Sequence, residues 1–251
     1  MAVLAPYLAP YDPINDASLD QRLQPPSAEH WLGTDHQGRD VLSRIIHGAR
    51  ISLRVGVLSM VMAAAAGASW GAVAGYYGGW FDLLSGRIVD LMLAFPSILL
   101  AIAFTAFLGP SLENAMLAVA LVSVPQYMRL VRASVLSLRE QDFVVAARAL
   151  GAADARIIFG HIMPNALGPL IVQATLGIGT AILDAAALSF LGLGAQPPDP
   201  EWGRMLNDAR TVFQVAPWNM TYPGLAIMLT VLGFNLLGDG LRDVLDPRAR
   251  D

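Results

Sequence analysis

The sequence predicts an all-α integral membrane protein, a polytopic helical bundle. Two observations lead there. Of 251 residues, 55% are apolar and only 14% are charged, whereas soluble domains carry about 25% charged residues. Runs free of Asp, Glu, Lys and Arg extend over 55–81, 91–112, 114–128, 157–183 and 211–238. A helix needs about 20 mostly apolar residues to cross the hydrocarbon core, and a charge at its centre costs roughly 2.5–3.5 kcal/mol. The gaps between charges therefore mark five crossings.

The same composition excludes several functions. The net charge is −4, and all sixteen basic residues are Arg, spread along the chain rather than clustered. No nucleic-acid footprint results. Cysteine is absent, so disulfides and thiolate metal sites are excluded. The four histidines, His30, His36, His47 and His161, form no His-Glu-x-x-His pattern, and no metal site is predicted.

Residues 1–11 are apolar but too short to span, and no basic stretch precedes them. Residues 1–54 are expected to form an extracytoplasmic arm. Within it, Arg39, Ser43, His47, Arg50 and Arg54 fall on one helical side, opposite Val41, Leu42, Ile45, Ile46, Ala49 and Leu53. That pattern predicts an interfacial amphipathic helix before the first span. In the first span, Gly67, Gly71 and Gly75 recur every fourth residue among alanines, a stripe that lets helix backbones approach closely. Gly67-Ala68-Ser69-Trp70-Gly71 matches Gly-x-Ser-x-Gly formally, but it lacks the strand-to-helix elbow and His partner of a hydrolase. Pro96 and Pro125 are expected to kink their spans.

The third run is short. Arg129 can snorkel to an interface, which extends that span over 112–131. The last run of 28 residues would be about 42 Å of helix against a core of about 30 Å. Pro217 and Pro223 place the final span at 222–241. Arg129, Arg132, Arg139, Arg148 and Arg156 share one connection, and Arg242, Arg248 and Arg250 follow the last span. The positive-inside rule then makes both cytoplasmic and puts the 191–221 loop outside. The expected organisation is the arm 1–54, a transmembrane domain 55–241 and a cytoplasmic tail 242–251.

The connection 132–164 is too polar for lipid yet long enough for two short helices. Asp142 is suited to cap the first, Phe143, Val144, Ala147 and Leu150 share a face, and Gly151 supplies a left-handed stop. A second helix starts near Asp154 and runs into Met163-Pro164. The predicted product is a small amphipathic hairpin, lying either on lipid headgroups or in a partner's groove.

Val145-Ala146-Ala147, then Gly151, then His161-Ile162-Met163-Pro164 resembles the Glu-Ala-Ala…Gly…Ile-x-Leu-Pro loop of membrane permeases in ATP-binding-cassette importers. Gly33-Thr34-Asp35-His36-Gln37-Gly38-Arg39-Asp40, Ala9-Pro10-Tyr11-Asp12-Pro13 and Leu188-Ser189-Phe190-Leu191-Gly192-Leu193-Gly194 with Trp202 resemble the dipeptide, oligopeptide and nickel subfamily, in its C-type subunit. The resemblance implies the fold of a type I importer permease. It also implies a homologous permease partner, two ATPase subunits that carry ATP and Mg, and an extracytoplasmic solute-binding protein. The chain itself would bind no cofactor and catalyse nothing.

By the same resemblance, Val145, Ala146, Ala147, Gly151, Asp154, His161, Ile162, Met163 and Pro164 form the ATPase-coupling loop. Gly33, Thr34, Asp35, Gly38, Arg39, Asp40, Ser189, Gly192, Gly194 and Trp202 are structural. Val145 stands where the family usually has Glu, which removes a charged contact, and Met163 stands where it usually has Leu. Family members usually have six spans, the first before Ala9-Pro10-Tyr11-Asp12-Pro13. With only residues 1–8 in that place, the expectation is either a native start further upstream or a shortened variant.

Ionisable residues near the bilayer are Asp90, Asp184, Asp239 and Arg87, each expected near a helix end. Asp184, Gln126, Gln173 and Asn235 are the candidates for lining a path. No Gly-x-x-x-x-Gly-Lys-[Ser/Thr] loop exists in a chain without Lys, so uphill transport would draw its energy from another subunit. An ion-coupled carrier would bury carboxylates mid-span or show inverted repeats, and neither is apparent. A scaffold that only assembles a complex is the remaining alternative. The substrate class implied is peptides or related small solutes, including nickel chelates.

Overall fold

The computed structural model describes residues 2–245. Arg248 and Arg250, assigned above to a cytoplasmic tail, lie outside them. The regular structure of the described residues is helical, apart from an isolated β-bridge between Thr34 and Asp40. Helix α1 (Ala5–Leu8) is followed by α2 (Val41–Tyr77), α3 (Gly79–Leu93), α4 (Ser97–Leu108), α5 (Leu112–Leu138), α6 (Asp142–Ala149), α7 (Asp154–Arg156), α8 (Met163–Phe190), α9 (Trp202–Ala209) and α10 (Trp218–Leu245). A π-helical stretch, Ile157–Ile162, joins α7 to α8. Among the described residues four helices are long and apolar enough to cross a membrane, or five if the bent pair α3–α4 is one span.

The chain divides into two compact units. The first comprises Met1–Ser59, Ala101–Val119 and Ile178–Gly233. At its heart is a polar knot built on the start of α2. Asp40 Oδ2 accepts the Ser43 N–H and hydroxyl, both at 2.7 Å, and so caps the helix. Its other oxygen lies 3.0 Å from Nδ1 of buried His30. Asp35 accepts the backbone N–H groups of Gln37 and Arg39 and the Arg39 Nε–H at 2.7 Å. Gly33 and Gly38 take positive φ on either side of this turn. The Thr34 carbonyl accepts from Trp218 Nε1 and Asn219 Nδ2, each at 3.2 Å.

A second fastening holds α9. Glu201, almost wholly buried, caps that helix by accepting from the Gly203 and Arg204 N–H groups. It also accepts from the Ser52 hydroxyl on α2 at 3.2 Å. Trp202 donates through Nε1 to the Ile45 carbonyl at 3.0 Å. Burial pushes the Glu201 carboxyl up from its ordinary range, against the lowering effect of the bonds it accepts.

The second unit comprises Met60–Leu100, Ala120–Gly177 and Phe234–Asp251. Here the glycine stripe seats α2 on α5. A Cβ at Gly71 would lie 2.4 Å from the Met128 carbonyl oxygen, and one at Gly67 would lie 2.6 Å from Tyr127 Cβ. Arg132 grips Asp82 of α3 through two N–H groups, the second at 2.6 Å, and Arg129 pairs with Asp90. Arg139 Nη1 donates to the Gly75 carbonyl at 2.9 Å.

Three elements differ from the sequence expectations. The arm's amphipathic helix is not separate: 41–54 is the start of α2, with Val41, Ile45, Ile46 and Ala49 buried, and on the side expected to be wet Arg50 and Arg54 are exposed while Arg39 and Ser43 are buried. The ion pairs and caps above replace the water these groups would lose. The run 91–112 is not one continuous helix: its first residues close α3, and α4 follows after a bend of 93° across the break that contains Pro96. The lower half of the hairpin does not stop at Pro164, because helix continues from Asp154 to Phe190. Pro164 has no N–H for the carbonyl four residues back, and the wider π turn just before it accommodates that gap.

Candidate functional site

The loop 139–164 is fixed on one side and bare on the other. Helix α6 starts at Asp142, with Gln141 in the capping place, so Asp142 is its first helical residue rather than its cap. At that position its carboxylate still favours the helix dipole. The helix stops at Gly151, whose φ is +80°. The Gly151 N–H bonds the Arg148 carbonyl at 3.0 Å and the Ala152 N–H bonds that of Ala147 at 3.1 Å, the paired pattern of a Schellman stop.

Val144 points inward and is fully buried, as are Ile157 and Ile162. Val144 was expected on the face of Phe143, Ala147 and Leu150, but one residue is about 100° of helix turn, and only those three share a side. Phe143, Val145 (53% exposed), Leu150 (88%) and Phe159 (58%) stand open. Ala146 is exposed and Ala147 half-buried. At the joint with α2, Tyr76 donates its hydroxyl to Asp154 at 2.7 Å, and the Arg148 guanidinium sits 5.8 Å from the Tyr76 ring centroid. His161 and Met163 are half-buried, Ile162 buried and Pro164 exposed. The His161 carbonyl accepts from Asn165 Nδ2 at 2.7 Å.

Sequence reasoning overlooked the anchors of this loop: Tyr76, Arg139, and the pairs of Arg129 with Asp90 and Arg132 with Asp82. A signal for the pairs was available. Two aspartates eight residues apart on one helix and two arginines three apart on another present charges on matching faces.

The subfamily-motif residues are largely buried. Thr34, Asp35, Arg39 and Asp40 are buried in the knot around α2, and Trp202 is buried at the α9 joint. Ser189 is buried and its hydroxyl accepts the Ala195 N–H at 3.1 Å. Gly192 has φ +82°, and the Leu193 N–H reaches the Leu188 carbonyl at 2.9 Å, a second Schellman stop that ends α8. A Cβ on Gly194 would lie 2.2 Å from Ser189 Oγ.

Of the path candidates, Gln126 and Asn235 are exposed, while Gln173 and Asp184 are half-buried. Asp184 lies within the last two turns of α8, farther from the helix end than expected, and makes no side-chain hydrogen bond or ion pair among the described residues. Among the described residues no group of three or more His, Cys, Asp or Glu is placed to hold a metal ion.

Residues 67–251 match the family described as binding-protein-dependent transport system inner membrane component. The chain is 59% identical over its whole length to the dipeptide transport system permease protein DppC of Alkalihalophilus pseudofirmus, covering 82% of that protein. It is 51% identical, with the same coverage, to the glutathione transport system permease protein GsiD of Escherichia coli. The fold is similar to that of a chain in the inward-facing structure of the MetNI methionine ABC transporter, with a TM-score of 0.64 over 82% of this chain and 97% of that one at 19% identity. The chain belongs to the family of binding-protein-dependent transport system inner membrane components, and is a multi-pass permease subunit of an ATP-binding-cassette importer.

Proposed function

We propose that the chain forms, with a homologous permease subunit, the membrane path for peptides or peptide-like solutes such as glutathione, with nickel chelates as the other cargo of this subfamily. Two ATPase subunits that hold ATP and Mg dock on the 139–164 loop, and an extracytoplasmic binding protein delivers the solute. The loop and the C-terminus are cytoplasmic. Val145, Ala146, Ala147, Gly151, Asp154, His161, Ile162, Met163 and Pro164 make or shape the docking knob, and Gln126, Gln173, Asp184 and Asn235 line the path.

One observation carries the coupling role. The loop is pinned by Val144, by the buried isoleucines and by Tyr76 with Asp154, yet it leaves Phe143, Leu150 and Phe159 uncovered. A large exposed apolar set on a rigid support marks an interaction surface. Its continuity with α8 supplies a mechanical link, because no break separates Asp154 from Phe190.

The test is uptake by the complete complex in vesicles. Ala147→Glu adds a charge to the docking side, and Gly151→Pro imposes a φ near −65° where the structure has +80°. Both are expected to leave insertion intact while ATP hydrolysis loses its link to uptake. Normal uptake by both variants refutes the docking assignment, and uptake driven by an ion gradient alone refutes the importer mechanism. Competition among dipeptide, glutathione and a nickel chelate identifies the cargo.

A further inference from the structure

In the second unit, α3 and α5 enclose an open cavity of about 430 Å³. Asp82, Gly86, Arg87, Asp90, Arg129 and Arg132 line it. Two of the three arginines are matched by the two aspartates. Arg87 is exposed and makes no side-chain hydrogen bond or ion pair among the described residues. The cavity therefore carries one positive charge in excess, and Gly86 leaves it open, since a Cβ there would meet nothing within 4 Å.

Its surroundings are those of a lipid boundary. Trp80 is 76% exposed beside exposed Tyr77, and Leu83, Leu84, Ile88 and Leu91 are exposed along α3. Aromatic residues of this kind sit at headgroup level, and the leucine and isoleucine side chains offer a surface for acyl chains. Basic pockets of this sort between membrane helices on the cytoplasmic side hold anionic headgroups. An apolar protein partner would instead bury Arg87 without a counter-charge, which is strongly unfavourable.

We infer that this cavity binds the phosphate of an anionic phospholipid, with Arg87 as the charge that selects it. Its placement in the cytoplasmic leaflet rests on the orientation proposed above, while the site itself does not.

The test uses the detergent-purified importer complex loaded with phosphatidylglycerol or phosphatidylcholine, with retained lipid counted by native mass spectrometry. One surface arginine contributes about 1 kcal/mol to binding an anionic lipid, which converts to about a fivefold loss of retained phosphatidylglycerol in Arg87→Ala. Arg87→Lys is expected to restore most of it. Gly86→Leu fills the cavity without a clash at Cβ and is expected to remove the preference while the complex keeps its melting temperature. Equal retention of the two lipids, or full retention in both Arg87→Ala and Gly86→Leu, overturns the assignment. So does displacement by inorganic phosphate, which would make this a site for a free anion, or crosslinking of residue 86 to the second permease subunit in place of lipid. The readout is independent of uptake, so its failure is separable from failure of the transport reading.

Discussion

Replacing the three glycines that seat α2 on α5 with alanine is expected to have graded effects, in an order set by the geometry. Against the 3.4 Å at which ordinary contact begins, a Cβ at Gly71 stands 2.4 Å from the Met128 carbonyl oxygen, leaving about 1.0 Å to be made up. Its nearest neighbours are all backbone atoms of Met128 and Arg132, which cannot rotate aside. At Gly67 the shortest approach is 2.6 Å, to Tyr127 Cβ, and at Gly75 it is only 3.1 Å, to the Arg132 carbonyl and Val135 Cβ. Overpacking of a tight interface costs about 1–3 kcal/mol, while alanine returns about 0.5–1 kcal/mol of helix propensity. Gly71→Ala should therefore cost about 2 kcal/mol, Gly67→Ala slightly less, and Gly75→Ala close to nothing. The melting midpoint of the complex in detergent reads this, with about 4–8 °C lost at Gly71. Equal losses at Gly71 and Gly75, or none at Gly71, would show that backbone contact does not set the spacing of these helices.

Three more outcomes follow from the same structure. Val145→Glu is expected to leave stability within about 0.5 kcal/mol, because the side chain is half in solvent. It should tighten ATPase docking, measured as the salt concentration at which the ATPases dissociate. For Glu201, whose carboxyl is raised by burial, the folded state holds a proton more tightly than the unfolded chain. Stability from this group is then fullest below the unfolded value and is lost as pH rises through the folded one. Glu201→Gln should flatten that slope in melting curves recorded from the ordinary carboxylate range up to neutral pH. Replacing Trp218 by Phe and Asn219 by Ala should each cost little alone, since the buried Thr34 carbonyl keeps the other donor at 3.2 Å. The double variant strands that carbonyl and should cost about 1–3 kcal/mol, seen as faster hydrogen exchange over 33–40.

Charge-free runs located α5, α8 and α10 well, because burial of apolar surface and absence of charge coincide there. The same rule cut α3 short. Asp82, Arg87 and Asp90 stop a hydropathy count, yet Gly79–Leu93 is helical, with the largely covered Asp82 paired to Arg132 and the exposed Asp90 paired to Arg129. Those partners lie 50 and 39 residues away, a distance that local patterning does not span. In the loop, the glycine stop at 151 was legible from residue type, but the inward turn of Val144 was not. What decides it is the buried isoleucines of the following helix. The burial of Arg39 at the start of 39–54 was illegible for a related reason. A basic amphipathic pattern looks the same whether its counter-charges are lipid phosphates or, as here for Arg39, an aspartate four residues earlier.

The Thr34 carbonyl has an implication for how the chain is made. Its two donors lie 184 and 185 residues downstream, and at about 5–20 residues per second a ribosome needs about 10–40 s to supply them. During that interval the turn around Asp35 has no final partner. Its fastening is one of the last steps of biogenesis, so a truncated product announces itself by an unlocked amino-terminal segment that proteases can reach.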